Sequence, residues 1–357
     1  MMFEYQGKLD IIKILKDEYN YTFKNLEDLY KQNFIELEGN GVDALFWIKY
    51  KGEKYLFKPT KLYEYNVWGE LLSEEIAKEM GLKSAEYRIA TLGNMKGVIT
   101  KSVLKKDETL IMGTQLFQEY LRRTSDTSLK HRIDNLFKGK FLNHYEKMKL
   151  VGKLLNNYID VMNIINSRDY LDNEIKQNIS TDFKNKLFFD IMTMQGDKHS
   201  NNWGIVKGKN YYRPVELYDS ATSFGLNFPY MNHIINDFKG EVLNYRFHND
   251  IERLRHFSNI PLLFTYFPNE TKKTSREVLE DLLNNATDDE VEKYYSYLSK
   301  IDIDYLDNII SKLEVKNGEN MDSDLRFYIL NLYELNRMDL NETFRKRAVL
   351  DDRIRTI

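Results

Sequence analysis

Residues 35–59 read IELEGNGVDALFWIKYKGEKYLFKP. This stretch predicts three short strands. The first ends near Glu38, and the turn Gly39-Asn40-Gly41 follows it, with glycines that tolerate positive φ. The second covers Leu45–Tyr50 and is rich in the aromatic and branched residues that suit sheets. Lys51-Gly52-Glu53 makes a hairpin turn, and the third strand, Lys54–Phe57, is stopped by Pro59. Downstream, Trp68, Leu72, Ile76 and Met80 recur every four residues, which places them on one face of a helix capped by Gly81. Strands Ala85–Thr91 and Gly97–Thr100 follow, joined by Gly93-Asn94, and Lys101–Glu108 is a polar connector. Upstream, residues 1–34 carry the apolar spacing of two short helices.

From Thr109 onward the pattern reads as helical. A helix is expected around Glu146–Ile165, with loops in the rest of residues 124–182. Phe183, Leu187, Phe188 and Ile191 form another apolar helix face. Thr274 with Glu277, and Thr287 with Glu290, have capping-box spacing. The order is three strands, a helix, two strands, a connector and a larger helical half. This makes the chain α+β, with an N-terminal helical extension (1–34), a small β-rich unit (35–108) and a mainly helical unit (109–357).

Composition narrows the function. The chain has 357 residues, 42% hydrophobic and 30% charged, enough for a core and incompatible with a wholly disordered chain. Lysine plus arginine number 52 against 55 acids, a net charge of −3, so direct nucleic-acid binding is not expected. The absence of cysteine excludes disulfides, thiolate zinc sites and a cysteine nucleophile. No stretch approaches the roughly 20 apolar residues of a membrane span. The start, MMFEYQGKLD, lacks the pattern of a signal peptide. A cytoplasmic protein is the expectation.

The chemistry concentrates in Gln195-Gly196-Asp197-Lys198-His199-Ser200-Asn201-Asn202-Trp203-Gly204. Asp197 and Asn202 lie five positions apart, and a second acid, Asp219, follows the run Tyr211–Tyr218. Phosphoryl transfer needs a carboxylate to position the attacking hydroxyl, and an amide oxygen with a second carboxylate to hold magnesium against the phosphates. Asp197, Asn202 and Asp219 supply those three parts. Alone, D-x-H-x-x-N is also a common hydrogen-bonded turn. Its place downstream of a sheet with a strand-end lysine, and of a helix with glutamates, is the order an ATP phosphotransferase requires. Lys58 would neutralise the α/β-phosphates, and Glu70 would pair with it, with Glu74 and Glu75 as competitors. Gly39 and Gly41 sit where a phosphate-covering turn belongs, although a plain hairpin has the same glycines. His199 has no histidine partner at metal-binding spacing and reads as holding the loop through ring hydrogen bonds. Trp203 and Phe224 read as packing residues, and Arg345-Lys346-Arg347 as a solvated helix face.

These residues resemble the HipA-type kinases, a bacterial serine/threonine kinase group that includes toxins of toxin–antitoxin systems. The resemblance spans Tyr55 to Leu226 with gaps and rests on Tyr55–Pro59, Glu70 through Leu82, Gly97–Ser102, Glu108–Gly113, Gly196–Asn202 and Leu217–Asp219. It implies a two-lobed protein-kinase-like fold with a small β-rich N-lobe and a large helical C-lobe. ATP would lie between the lobes, Asp197 would be catalytic, and Asn202 and Asp219 would hold Mg2+. It also implies a protein hydroxyl as acceptor. Such toxins commonly carry a further N-terminal subdomain that contacts an antitoxin. Only residues 1–34 precede the sheet here, which speaks against an antitoxin partner. The Gly39–Gly41 turn has no serine or threonine to autophosphorylate, and Ser220-Ala221 replaces the F-G of the kinase D-F-G. The loop is also similar to the G-D-R-H-x-x-N loop of phosphoinositide kinases, which leaves a lipid or small-alcohol acceptor open. A non-catalytic nucleotide-binding module is the third reading.

Overall fold

The computed structural model describes residues 2–20, 26–38, 45–60, 65–155, 158–196, 198–226 and 275–355. Gly39, Gly41, Asp197 and the Thr274 cap therefore lie outside the described residues.

Six strands form one sheet in the order β1-β5-β6-β4-β3-β2. They are β1 (Leu9–Asp10), β2 (Ile35–Glu38), β3 (Leu45–Tyr50), β4 (Glu53–Pro59), β5 (Tyr87–Leu92) and β6 (Met95–Lys101). All pairs are antiparallel except β1 with β5. The period-two alternation of strands gives each sheet face its own job. Phe46, Ile48, Tyr50, Tyr55 and Phe57 point to a buried face. There they share a core with Met2, Leu9, Ile11, Ile14 and Leu15 of the N-terminal segment. The intervening residues Leu45, Trp47, Leu56 and Lys58 point to the other face and line a cleft.

β4 does not stop at Phe57. It runs through Pro59, which pairs with Gly97. A Cβ on Gly97 would lie 2.1 Å from the Lys58 carbonyl oxygen, so only glycine permits this approach. Lys58 consequently sits opposite Val98 inside a paired strand, which fixes its direction.

Helices α1 (Ile11–Tyr19) and α2 (Leu26–Lys31) lie between β1 and β2 in the chain. Helix α3 (Asn66–Glu79) crosses behind the cleft, and Gly81 follows it at φ 68. Its Leu71, Leu72 and Ile76 belong to the large core of the helical lobe. A parallel bridge joins Ser84 to Leu217, with Ala85 N donating to Leu217 O and Leu217 N to Lys83 O, each at 2.8 Å. The stretch leading to Asp219 is thus tied to the end of α3.

The chain does not turn helical at Thr109. Residues Thr109–Met112 form β7, the first strand of a second sheet with β8 (Gly204–Lys207) and β9 (Tyr212–Pro214). Four residues are too few to show a period, so only the pairing reveals the strand. Helices α4 (Gly113–Arg123), α5 (Thr127–Phe137), α6 (His144–Leu155), α7 (Tyr158–Asn166) and α8 (Asn173–Met192) follow. Two helices therefore stand where one was expected around Glu146–Ile165, and residues 124–182 are mainly helical rather than looped. Helices Ser275–Asn284, Asp288–Lys300, Ile303–Asn317 and Ser323–Arg355 complete the lobe, with Thr287 and Glu290 closing a capping box.

The C-terminal helices also brace the sheet. Buried Arg88 of β5 donates to the carbonyls of Phe3, Tyr5, Gly7 and Lys316, and Asn317 Oδ1 accepts from Arg88 Nε and Ile89 N. Among the described residues no helix is long and apolar enough to cross a membrane.

Candidate active site

A cleft of 710 Å³ lies between the lobes. Trp47, Leu56 and Val98 line its sheet side, Leu110 and Met112 its floor, and Ser102–Leu104 its connecting edge. Lys58, Glu70, Asn202 and Asp219 all reach it.

Lys58 Nζ lies 2.8 Å from Glu70 Oε1 and 3.0 Å from Asp219 Oδ1. It also stands 5.9 Å from the centre of the Tyr87 ring. Burial disfavours the ammonium, but the Asp219 and Glu70 carboxylates outweigh it and hold the Lys58 pKa well above its ordinary value. The same ammonium holds Asp219 below the usual carboxylate range. Both groups therefore stay charged. Glu74 instead accepts from Tyr87 N at 2.6 Å and pairs with Lys78, and Glu75 lies 2.9 Å from Lys78.

The loop carrying Asn202 is fastened at several points. Thr114 N donates to Ser200 O at 3.0 Å and Gly113 N to Trp203 O at 2.9 Å. The Thr114 hydroxyl lies 2.7 Å from Ser200 Oγ and 2.5 Å from Asn201 Oδ1, while Tyr218 OH donates to Asn201 O at 2.7 Å. His199 Nδ1 accepts from Asn201 N at 3.2 Å and His199 O accepts from Asn202 N at 2.9 Å. Asn202 is buried against this frame and Asp219 stays half-exposed to the cleft. Under the loop, Lys198 is buried, 3.5 Å from Tyr218 O and 3.9 Å from Asp190. Burial pushes the Asp190 carboxyl up to about 6 against the pull of Lys198 and Lys186. Trp203 packs edge-on against Phe117 and Phe183, and Phe224 is fully buried.

A clamp on the connector has no counterpart in the sequence reading. Arg213 of β9 grips Glu108 at 2.9 and 2.7 Å and donates to Val103 O at 2.8 Å. Tyr211 OH and Lys105 N also donate to the Glu108 carboxylate, at 2.6 and 2.8 Å. The Arg213 hydrogen bonds hold the Glu108 pKa down to about 2. A carboxyl depressed in the fold stabilises it above its unfolded pKa and loses that effect as pH falls through the folded one. Glu108→Gln should therefore cost about 2 kcal/mol at pH 7 after allowance for solvent screening, and progressively less below about pH 4.5. Denaturant unfolding of both proteins across pH 7 to 3 measures this. A gap that does not narrow would contradict the clamp.

No protein-family model matches the sequence, and no curated protein matches it. Solved structures do match. The Helicobacter pylori proinflammatory kinase CtkA superposes with a TM-score of 0.62 at 16% identity, over 89% of this chain and 98% of that one. The chain has the protein-kinase-like fold. The HipA of a Shewanella oneidensis MR-1 toxin–antitoxin complex with HipB and operator DNA aligns over 93% of this chain and 70% of that one, at 12% identity and a TM-score of 0.47. Residues 102–108 join the six-stranded sheet to the three-stranded one, and the cleft is lined from both sides of that connection.

Proposed function

We propose that the chain is an ATP- and magnesium-dependent kinase that phosphorylates a protein serine or threonine hydroxyl. The observation that carries this reading is the charged triad in the interlobe cleft. Lys58 lies within 3.0 Å of both Glu70 and Asp219, and Asn202 lines the same cavity. The donor set suits magnesium, a hard cation that takes carboxylate and amide oxygens. Asp219 is a charged carboxylate facing the cleft, and Asn202 lines the same cavity. Bound there with the nucleotide, magnesium would neutralise charge building on the phosphates.

The chain's own residues have separate duties. Lys58, aimed by Glu70, would bind the α/β-phosphates. Asp197 would orient the acceptor hydroxyl and accept its proton late in the transfer. Most of the rate enhancement would come from placement and fixed charge rather than covalent chemistry. The resemblance of Gly196–Asn202 and Leu217–Asp219 to HipA-type kinases supports a protein acceptor.

Calorimetric titration with a non-hydrolysable ATP analogue tests the nucleotide part. Binding should tighten at least about tenfold with Mg2+, and Asp219→Asn should remove most of that gain. Equal affinity with and without the metal would overturn the proposal.

A further inference from the structure

Asp219 adopts φ 58, the left-handed region that a non-glycine residue enters at a cost of roughly 1 kcal/mol or more. Such a conformation persists only when its surroundings over-determine it. Three buried side chains hold it here. Tyr87 OH accepts from Asp219 N at 3.3 Å, Gln195 Nε2 donates to Asp219 O at 3.1 Å, and Glu70 Oε2 accepts from Ser220 N at 2.8 Å. Tyr87, Gln195 and Glu70 are 2%, 0% and 1% exposed, so water does not compete for these bonds.

The chemistry of Gln195 fits its place. Its carboxamide donates to Asp219 O while its oxygen accepts from the Thr222 hydroxyl. A carboxylate offers no donor, and an aliphatic chain offers neither function. Behind the loop, a Cβ on Gly69 of α3 would lie 2.5 Å from Ala221 O, so helix and loop touch backbone to backbone. Ser220-Ala221 provides no ring like the D-F-G phenylalanine, whose packing sets the active or inactive arrangement.

We propose that Tyr87 and Gln195 are positioning residues that lock the Asp219 backbone in one conformation, so that its carboxylate faces the cleft before nucleotide and metal arrive. This rests on the reading of Asp219 as a metal ligand. A polar cage does here what an aromatic switch does elsewhere, and the loop has a single resting state instead of an in–out equilibrium.

Tyr87→Phe removes one oxygen, and Gln195→Met keeps length while removing both polar functions. Each is expected to raise the Mg2+ concentration for half-maximal tightening of ATP-analogue binding by roughly 5- to 10-fold, with metal-free affinity unchanged. Amide exchange in a peptide spanning residues 217–222 should accelerate in both. The double variant should cost less than the product of the singles, because one conformation is lost once. Gln195→Met leaves Asp219 O and the part-buried Thr222 hydroxyl without their partner and puts a thioether in a fully buried polar site, so it is the variant at risk of misfolding, and Tyr87→Phe decides if it fails. Wild-type magnesium dependence and exchange in Tyr87→Phe would overturn the inference. Asp219→Asn separates the two failures. If it alone shifts the magnesium dependence, the positioning role falls. If it too shifts nothing, the metal-ligand reading falls, and the positioning role with it.

Discussion

Asp197→Asn is expected to fold normally, bind magnesium–nucleotide with near-normal affinity and lose at least about a hundredfold in phosphotransfer. The substitution keeps shape and some hydrogen bonding but removes the charge. A carboxylate that positions a hydroxyl and takes its proton late matters to the rate, not to nucleotide binding. A turn aspartate would behave in the opposite way. Stability would drop, and the rate per folded molecule would hold. Melting temperature, nucleotide affinity and transfer rate on one preparation discriminate between them. A destabilised variant with wild-type turnover per folded molecule would remove Asp197 from the chemistry.

The second large effect belongs to Lys58 and Glu70. Lys58→Met removes the cation that faces both carboxylates and should reduce transfer about 10²–10³-fold, the usual cost of losing one fixed charge complementary to the transition state. It should also destabilise the fold by about 3 kcal/mol, because Glu70 is 1% exposed and, among the described residues, would be left with the Ser220 amide to offset its buried charge. Adding Glu70→Gln should restore part of that stability, since the amide oxygen still accepts from Ser220 N without a buried charge. Activity should not return. Strong non-additivity in both stability and rate is the signature of the pair. Additive losses would mean that the two residues act independently.

The sequence exposes some of this arrangement and conceals the rest for physical reasons. The strands of the N-lobe are legible because glycine turns punctuate them and their side chains alternate, as Phe46, Ile48 and Tyr50 do. α3 is legible because its apolar residues recur at helical spacing. β7 is not, because four residues carry no period, and the end of β4 is misjudged because Pro59 is tolerated opposite Gly97. Lys58 and Glu70 lie 12 residues apart on adjacent elements, within range of a local argument. Tyr87 and Asp219 are 132 apart, and Arg213 and Glu108 are 105 apart. No spacing rule reaches across such separations, so the groups that orient the site appear only once the chain is folded. Gln195 stands in the most informative segment, yet its role depends on Asp219 O and Thr222, both more than 20 residues away.

Incubating the protein with Mg2+ and γ-labelled ATP, beside Asp197→Asn, tests the central claim most directly. Protein, phosphoinositide and small-alcohol acceptors would be offered in parallel. The label should appear on serine or threonine of a protein acceptor with wild type and fall at least about a hundredfold with Asp197→Asn. Label on a lipid or small alcohol, or no transfer at all from a protein that binds magnesium–nucleotide, would contradict it.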